Sequence, residues 1–480
     1  MIMKQIYNPY LPSYEYIPDG EPHVFGDRVY VYGSHDRFGG DKFCMNHYVC
    51  YSAPVDDLTN WQYEGVIYRN DQDPRMQDGQ SQLWAPDVVR GKDGRYYLYY
   101  CPDDRHVNIG VAVSDEPAGK YEYYGLVSDK KGTPIGSRPS DTIQFDPGVF
   151  IDDDGEIYLY SGNGPMTPDA IGNEPKNSVV MKLEDDMLTI KTEPKKLMPL
   201  LGEADNTSYA NHEFFEASSI RKINGKYYFV YSSVKLHELC YAVSDKPDSD
   251  YSFGGVLVSN ADIIEQQNRV RPMNCYGNNH GGIELINGQW YIFYHRHTNR
   301  SQYSRQGCAE KLELSADGHF PQVEMTSCGL NGGPLQVFGE YPAIIACNLY
   351  GEHQPTISLP SDMMMQHPYL TQDGPDFDPD TDETPPVQFI TNCENGFTAL
   401  YRYFDLQNMN EISITVRGNA NGAVTVSDRP DGSEIARIEI SPAQDWQTFE
   451  ARTMAKAGVS ALCFQFEGSG NFDFLKFELK

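Results

Sequence analysis

Gly26-Asp-Arg-Val-Tyr-Val-Tyr32 reads as a tight turn feeding a strand of β-branched and aromatic side chains, which suit a pleated surface. The same pairing returns four times, as Asp93-Gly-Arg-Tyr-Tyr-Leu-Tyr99, Asp154-Gly-Glu-Ile-Tyr-Leu-Tyr160, Asn224-Gly-Lys-Tyr-Tyr-Phe-Val230 and Asn287-Gly-Gln-Trp-Tyr-Ile-Phe293. Asp-Gly and Asn-Gly are the strongest short-range hairpin signals, because a two-residue turn needs positive φ. Anchored on Tyr30, Tyr97, Tyr158, Tyr228 and Tyr291, the steps are 67, 61, 70 and 63 residues. Before each turn lies a further apolar segment, among them His23-Val-Phe25, Gly148-Val-Phe-Ile151 and Ile283-Glu-Leu-Ile286.

A hairpin repeated at this spacing leaves room for about four strands per unit, the signature of a β-propeller blade. The pattern predicts an all-β chain whose residues 1–335 form a five-bladed β-propeller. After Met325 the repeat stops, and Gly329-Leu-Asn-Gly-Gly-Pro334 reads as a linker. Residues 341–480 then carry short alternating strands such as Glu411-Ile-Ser-Ile-Thr-Val416 and Ala436-Arg-Ile-Glu-Ile440, which predict a β-sandwich of jelly-roll-like type. The acidic, proline-rich run Asp373-Gly-Pro-Asp-Phe-Asp-Pro-Asp-Thr-Asp-Glu-Thr-Pro-Pro386 interrupts it. It lacks the glycine and closing glutamate of an EF-hand loop and is expected to be a solvated loop rather than a calcium site.

Composition narrows the function. Against 38 Lys and Arg stand 68 Asp and Glu, a net charge of −30, so polyanions such as nucleic acid or an acidic membrane surface would be repelled. A neutral sugar is indifferent to that field. The ten cysteines contain no CxxC pair, and several sit in apolar runs, where a thiol behaves as a small hydrophobe. Reduced thiols, a reducing compartment and a cytoplasmic location are the expectation. Met1-Ile-Met-Lys-Gln5 opens no charged and apolar leader, and no apolar run approaches the roughly 20 residues of a membrane span.

Counting back from the anchoring tyrosines gives Asp19, Asp87, Asp146, Glu216 and His280, at 11, 10, 12, 12 and 11 residues. If each opens the innermost strand of its blade, four carboxylates and one imidazole converge at one end of a central channel. Like charges gathered this way push at least one pKa upward, which points to a functional site. Phe214-Phe215 precedes Glu216, and apolar surroundings favour a carboxyl that stays protonated near neutral pH. One protonated and one ionised carboxyl are what glycosidic hydrolysis needs. Asp87 follows Pro86 and reads more readily as a backbone-bonding acid; His280 is open to a structural, water-holding or metal-binding role; His295 and His297 read as surface or sugar-lining.

Together, Asn8-Pro-Tyr10, Pro18-Asp-Gly-Glu-Pro-His-Val-Phe25, Tyr30-Val-Tyr-Gly-Ser-His-Asp36, Trp84-Ala-Pro-Asp-Val88, Asp146-Pro-Gly-Val-Phe150, Phe215-Glu-Ala-Ser218 and Asn279-His-Gly-Gly282 resemble glycoside hydrolase family 43. That resemblance implies a five-bladed propeller that inverts the anomeric centre. It implies Asp19 as general base, Asp146 as the carboxylate that raises and orients the acid, and Glu216 as general acid. Arg305 matches a sugar-contacting arginine, and Trp84 and Asp87 would line the sugar. His280 matches an axial histidine beside calcium, sodium or water, with no cofactor required for the chemistry. The base usually sits in an Asp-Pro pair, whereas here Asp19-Gly-Glu-Pro22 makes Glu21 a rival.

Gln444-Asp-Trp-Gln-Thr-Phe449 and Gly470-Asn-Phe-Asp-Phe-Leu-Lys-Phe477 are similar to family 6 carbohydrate-binding modules, with Asn471 at a ligand-contacting position and Trp446 expected in the core. The function implied is release of terminal α-L-arabinofuranose from plant cell-wall oligosaccharides. The alternatives are a β-D-xylosidase, an exo-galactosidase, or a propeller that binds sugar without cleaving it.

Overall fold

The computed structural model describes residues 4–77, 81–103, 108–167, 176–358 and 366–480. The first sheet comprises β1 (Glu21–Phe25), β2 (Arg28–Tyr32), β3 (Tyr48–Pro54) and β4 (Gln62–Tyr68), each antiparallel to the next. The second holds β5 (Leu83–Arg90), β6 (Tyr96–Pro102), β7 (Gly110–Ser114) and β8 (Glu122–Leu126). The third holds β9 (Gly148–Ile151), β10 (Ile157–Asn163), β11 (Asn177–Leu183) and β12 (Lys195–Lys196). β13 (Phe214–Ile223), β14 (Lys226–Ser233), β15 (Glu238–Ser244) and β16 (Ser252–Ser259) make the fourth, and β17 (Ile283–Ile286), β18 (Gln289–His297) and β19 (Arg305–Leu312) the fifth. Every repeated aromatic core is thus the second strand of its sheet. The turns behave as their residues require: Asn224-Gly225 and Asn287-Gly288 have positive φ at both positions.

Strand alternation decides how these sheets meet. Tyr97 and Tyr99 pack with Val149 and Leu159 of the third sheet, while Leu98 and Tyr100 point back to Tyr32 and Tyr48 of the first. Likewise Tyr158 and Tyr160 pack with Phe214 and Phe229, and Tyr228 and Val230 with Ile283 and Ile292. Val29 and Val31 of the first sheet share a core with Phe293 and Ala309 of the fifth, so the last sheet packs on the first. Each second strand therefore feeds two apolar interfaces, because successive side chains leave opposite faces. The first strands are neighbours in the same order: β1 beside β5, β5 beside β9, β9 beside β13, and β17 back beside β1. Asn8 reinforces this closure: its side chain accepts from the Ala309 amide at 3.0 Å and donates to the Ala309 carbonyl at 3.0 Å.

Two six-stranded sheets follow. One is built from β20 (Leu335–Gln336), β22 (Asn348–Tyr350), β25 (Thr398–Asp405), β27 (Asn421–Ser427), β28 (Glu434–Ile440) and β30 (Val459–Ser469). The other holds β21 (Gly339–Pro342), β23 (Tyr369–Asp373), β24 (Val387–Cys393), β26 (Glu411–Gly418), β29 (Ala443–Arg452) and β31 (Phe472–Leu479). Ile412, Ile414 and Phe477 from one and Val424, Val426 and Phe464 from the other enclose a single apolar core. Arg402 anchors this unit to the first, reaching Glu324 at 2.6 Å and Asp262 at 2.8 Å.

The acidic run is largely exposed, as expected of a solvated loop, with Asp376 docked on the β2–β3 connection through the Phe38 amide at 2.7 Å and Asn46 at 2.8 Å. Two expectations change here. His295 and His297 are not at the surface but buried, 0% and 8% exposed. Trp446 is only half-buried, with the Arg417 guanidinium 4.3 Å above its ring. All ten cysteines are free thiols. Among the described residues no helix is long and apolar enough to cross a membrane.

Candidate active site

Sheet register places the ionisable residues on two levels. Glu216 pairs with Ser232, four residues past its anchoring tyrosine. Continuing the pairing of Glu21 with Tyr32 brings Asp19 opposite Ser34, whose hydroxyl donates to the Asp19 carboxylate. Gly148 pairs with Tyr160, so Asp146 falls opposite Gly162, and Ile283 with Ile292, so His280 falls opposite His295. These four share one level. Asp87 pairs with Tyr99, only two past its anchor, and a register shift between Leu83 and Pro86 puts Trp84 nearer the upper level. The offset of 10 rather than 11 or 12 residues reflects this lower place of Asp87 on its strand; the bulge lies before it.

The lower level is consumed by structure. Asp87 accepts from His23 at 2.7 Å and from the amides of Val88 and Val149, each at 2.7 Å. It therefore has structural donors on both oxygens and is set apart from the sugar-lining role expected of it. Glu21, the rival base, accepts from Ser219 at 2.8 Å and pairs with Arg221 at 2.9 Å, on the same level as Asp87.

On the upper level, three residues at or beside the carboxylates lie in the left-handed region: Asp19 at φ 57°, Asp146 at φ 43° and Ala217 at φ 70°. Non-glycine residues there store strain, and such strain gathers at functional sites. The Ala217 conformation accompanies the bulge around Glu216 and aims its amide at Asp146 Oδ2, 3.2 Å away.

Arg305 does not reach out as a sugar ligand would; it is 1% exposed and clamped between two acids. Its Nη1 donates to Asp19 Oδ1 at 3.0 Å, and Nε and Nη2 fork onto Asp36 at 2.9 and 3.0 Å. Burial alone would push Asp19 up, but Arg305 outweighs it and holds the carboxyl well below the usual range. His295 is pushed below its ordinary pKa by burial, so its ring is neutral. We assign its proton to Nε2, which donates to the Asn278 carbonyl at 2.7 Å and leaves Nδ1 to accept the Asp19 amide at 3.3 Å.

Glu216 has the opposite environment. Burial, then the neighbouring Asp146, raise it well above the ordinary glutamate value, and its hydrogen-bond partner is Asn163 at 3.2 Å. Burial also raises Asp146, and His280 Nδ1, 3.4 Å from its Oδ2, offsets only part of that, whereas Glu216 has no cation so close among the described residues. The imidazole is lifted to about 9, burial being outweighed by Asp146, Asp19 and Glu21. The shared proton therefore settles on Glu216. Trp84 packs edge-on against Phe145 at 5.1 Å, beside Asp146. Among the described residues its indole N–H has no hydrogen-bond partner.

Asp19, Asp146, Glu216 and His280 are thus brought together. Sequence reasoning missed the positioning roles of Ser34, Asp36, Asn163 and His295; Ser34 and Asp36 stood in the Gly-Ser-His-Asp36 segment, but their pairing with Asp19 and Arg305 is long-range.

The Glycosyl hydrolases family 43 model matches residues 17–320. A xylosidase/arabinosidase of Thermoclostridium stercorarium is 48% identical over 480 residues, covering 99% of both chains. A xylosidase/arabinosidase of Bacteroides ovatus is 31% identical over 66% of this chain and 97% of its own. Among solved structures, a family 43 arabinoxylan arabinofuranohydrolase from Bacillus subtilis, in complex with cellotetraose, shares the fold over 98% of this chain and 97% of its own, with a TM-score of 0.53 at 21% identity. A Xanthomonas citri enzyme of the same family, complexed with xylose, covers 67% of this chain and 93% of its own at 27% identity, TM-score 0.52. The chain belongs to glycosyl hydrolases family 43.

Proposed function

We propose that this family 43 chain is an inverting, exo-acting glycoside hydrolase that releases a terminal pentose, α-L-arabinofuranose first and β-D-xylose second, from plant cell-wall oligosaccharides. The observation that carries the reading is the opposite charge state of two carboxyls in one buried ring: Asp19 ionised against Arg305, and Glu216 protonated beside Asp146. In a single displacement Asp19 takes a proton from a water on one face of the sugar, and Glu216 gives its proton to the leaving oxygen on the other. Inversion requires the two carboxyls to stand about 6.5–9.5 Å apart, leaving room for that water. The xylosidase/arabinosidase names of the 48% and 31% identical relatives favour a pentose.

We read the five sheets as blades of a five-bladed propeller, supported by the cyclic order of their cores, with the ring at one end of the axis. The second unit we read as a β-sandwich of carbohydrate-binding-module type, beginning at Leu335, whose strand pairs with Phe404–Asp405. Asn471 lines a cavity of about 390 Å³ there, with Tyr369 and Gln444. The chemistry asks for no cofactor. His280, whose Nδ1 lies 3.4 Å from Asp146 Oδ2, is the residue that would stand beside an axial calcium, sodium or water.

Proton NMR during hydrolysis of an aryl glycoside tests the reading. The first-formed pentose is expected in the anomeric configuration opposite to the substrate; retention would refute the single displacement.

A further inference from the structure

β15 reads Glu238-Leu-Cys-Tyr-Ala-Val-Ser244, and alternation along a strand sends Glu238 and Cys240 to the same face. On that face Tyr231 stands opposite Cys240. Its hydroxyl, raised by burial and then by its neighbours Cys240, Tyr209, Glu238 and Glu213, donates to the His212 carbonyl at 2.7 Å and so holds the residues just before β13 against β15. The His212 ring is fixed by stacking on Phe253 of β16, with 4.8 Å between centroids and 20° between planes. Three different donor atoms meet as a result. His212 Nδ1 lies 2.8 Å from Glu238 Oε2, Cys240 Sγ lies 3.6 Å from the same oxygen, and Cys240 Sγ lies 3.9 Å from His212 Nδ1.

An ion pair needs only the first two of these atoms. Around a tetrahedral zinc ion, bonds of about 2.0–2.3 Å set neighbouring ligand atoms roughly 3.3–3.6 Å apart. The two sulfur edges of the triangle come near that spacing. The third is shorter because a hydrogen bond closes it, and an entering ion would take the place of that bond. Glu238 and Cys240 are buried, whereas the His212 side chain is 20% exposed, so an ion can enter past the imidazole and a water can complete the tetrahedron. Ser233 donates to Glu238 Oε2 at 2.9 Å and orients the carboxylate. Lys235 meets the other oxygen of Glu238 at 3.2 Å, but Glu265 shares it at 3.4 Å, so its charge does not bar a cation. On the same segment as His212, the Tyr209 hydroxyl and Glu213 Oε2 are buried with no hydrogen-bond partner among the described residues.

We propose that His212, Glu238 and Cys240 form a binding site for one zinc-class divalent cation, which ties the segment leading into β13 to β15. Mixed nitrogen, oxygen and sulfur donors suit such an ion and not calcium or magnesium, which take oxygen ligands. On binding, the Cys240 thiol gives its proton to solvent and His212 keeps its single proton on Nε2, leaving Nδ1, Oε2 and Sγ free to bond the ion. Glu216, Ser232 and Leu239 form one row across the fourth sheet, so the site flanks the row of the catalytic acid with β14 between them. The ion braces the fold beside Glu216 and takes no part in bond cleavage.

The test strips the protein with a chelator and titrates it with Zn²⁺ alone by calorimetry and with Co²⁺ by absorption, for wild type, His212→Gln and Cys240→Ser, each checked for folding by circular dichroism. Wild type is expected to bind one equivalent, to gain about 3–5 °C in its unfolding midpoint at saturating Zn²⁺, and to show a thiolate-to-cobalt charge-transfer band. Each variant is expected to bind at least about 100-fold more weakly, more than loss of an outer partner costs, and Cys240→Ser to lose the band. His212 is partly exposed, so His212→Gln keeps the test if Cys240→Ser does not fold. No binding by wild type, or an unchanged affinity in either folded variant, overturns the site; binding with no rise in the midpoint overturns the brace.

Discussion

Arg305 Nη1 lies 3.0 Å from Asp19 Oδ1, while the same guanidinium forks onto Asp36 at 2.9 and 3.0 Å. A cation so fixed holds the carboxylate both charged and oriented. Removing it in Arg305→Met lets burial raise the Asp19 pKa, so the acid limb of kcat/KM should move to higher pH. Arg305→Lys restores the charge without the fork and should recover part of the shift. An unmoved acid limb in Arg305→Met would mean that Arg305 does not set the Asp19 charge.

The basic limb belongs to Glu216, whose raised pKa depends on burial first and Asp146 second. Asp146→Asn removes a like charge, so the Glu216 pKa falls and the basic limb should move to lower pH, by about one unit or more. A pH–rate profile reads this directly.

Glu216→Ala should lose most activity where the leaving group needs a proton and retain more on an activated aryl glycoside. Equal losses on both substrates would count against the acid role.

How much of this was legible in the chain follows from sequence separation. The Asn-Gly and Asp-Gly turns and the strands after them are local signals, and β2 begins and ends where Arg28 and Tyr32 predict. Asp19, Asp146, Glu216 and His280 could be aligned because each keeps its distance from a local anchor. Asp87 broke the count because it stands opposite Tyr99, two residues past its anchor, where the other four stand opposite residues four past theirs. The burial of His295, the clamp of Asp36 on Arg305 and the docking of Asp376 on Phe38 join positions hundreds of residues apart, and no periodicity encodes them.

Stability should show its own pH signature. Burial would raise Glu238, but His212 at 2.8 Å and Lys235 at 3.2 Å outweigh it and depress the carboxyl from 4.5 to about 2. A depressed acid contributes stability that is present above its unfolded pKa and lost as pH falls through the folded one, here between about 4.5 and 2. The amount is roughly 3 kcal/mol at about 1.4 kcal/mol per unit. Urea unfolding of Glu238→Gln should therefore show a smaller loss between pH 5 and pH 3 than wild type shows.

The anchor between the two units is buried. Arg402 is 3% exposed and binds Asp262, Glu324 and Asn348. Truncating one partner of a buried pair leaves charge uncompensated and costs about 3–5 kcal/mol. Arg402→Ala should lower the denaturation midpoint accordingly, and a change within error would show that the network is not holding the units.

The central claim is that Asp19 is the base of a glycosidase. Its most direct test is turnover of 4-nitrophenyl α-L-arabinofuranoside and 4-nitrophenyl β-D-xylopyranoside by wild type and Asp19→Asn, with circular dichroism to confirm that both are folded. The account predicts hydrolysis of at least one substrate by wild type and a loss of about 10²–10⁴-fold in the variant. Hydrolysis by a folded Asp19→Asn at the wild-type rate would contradict it.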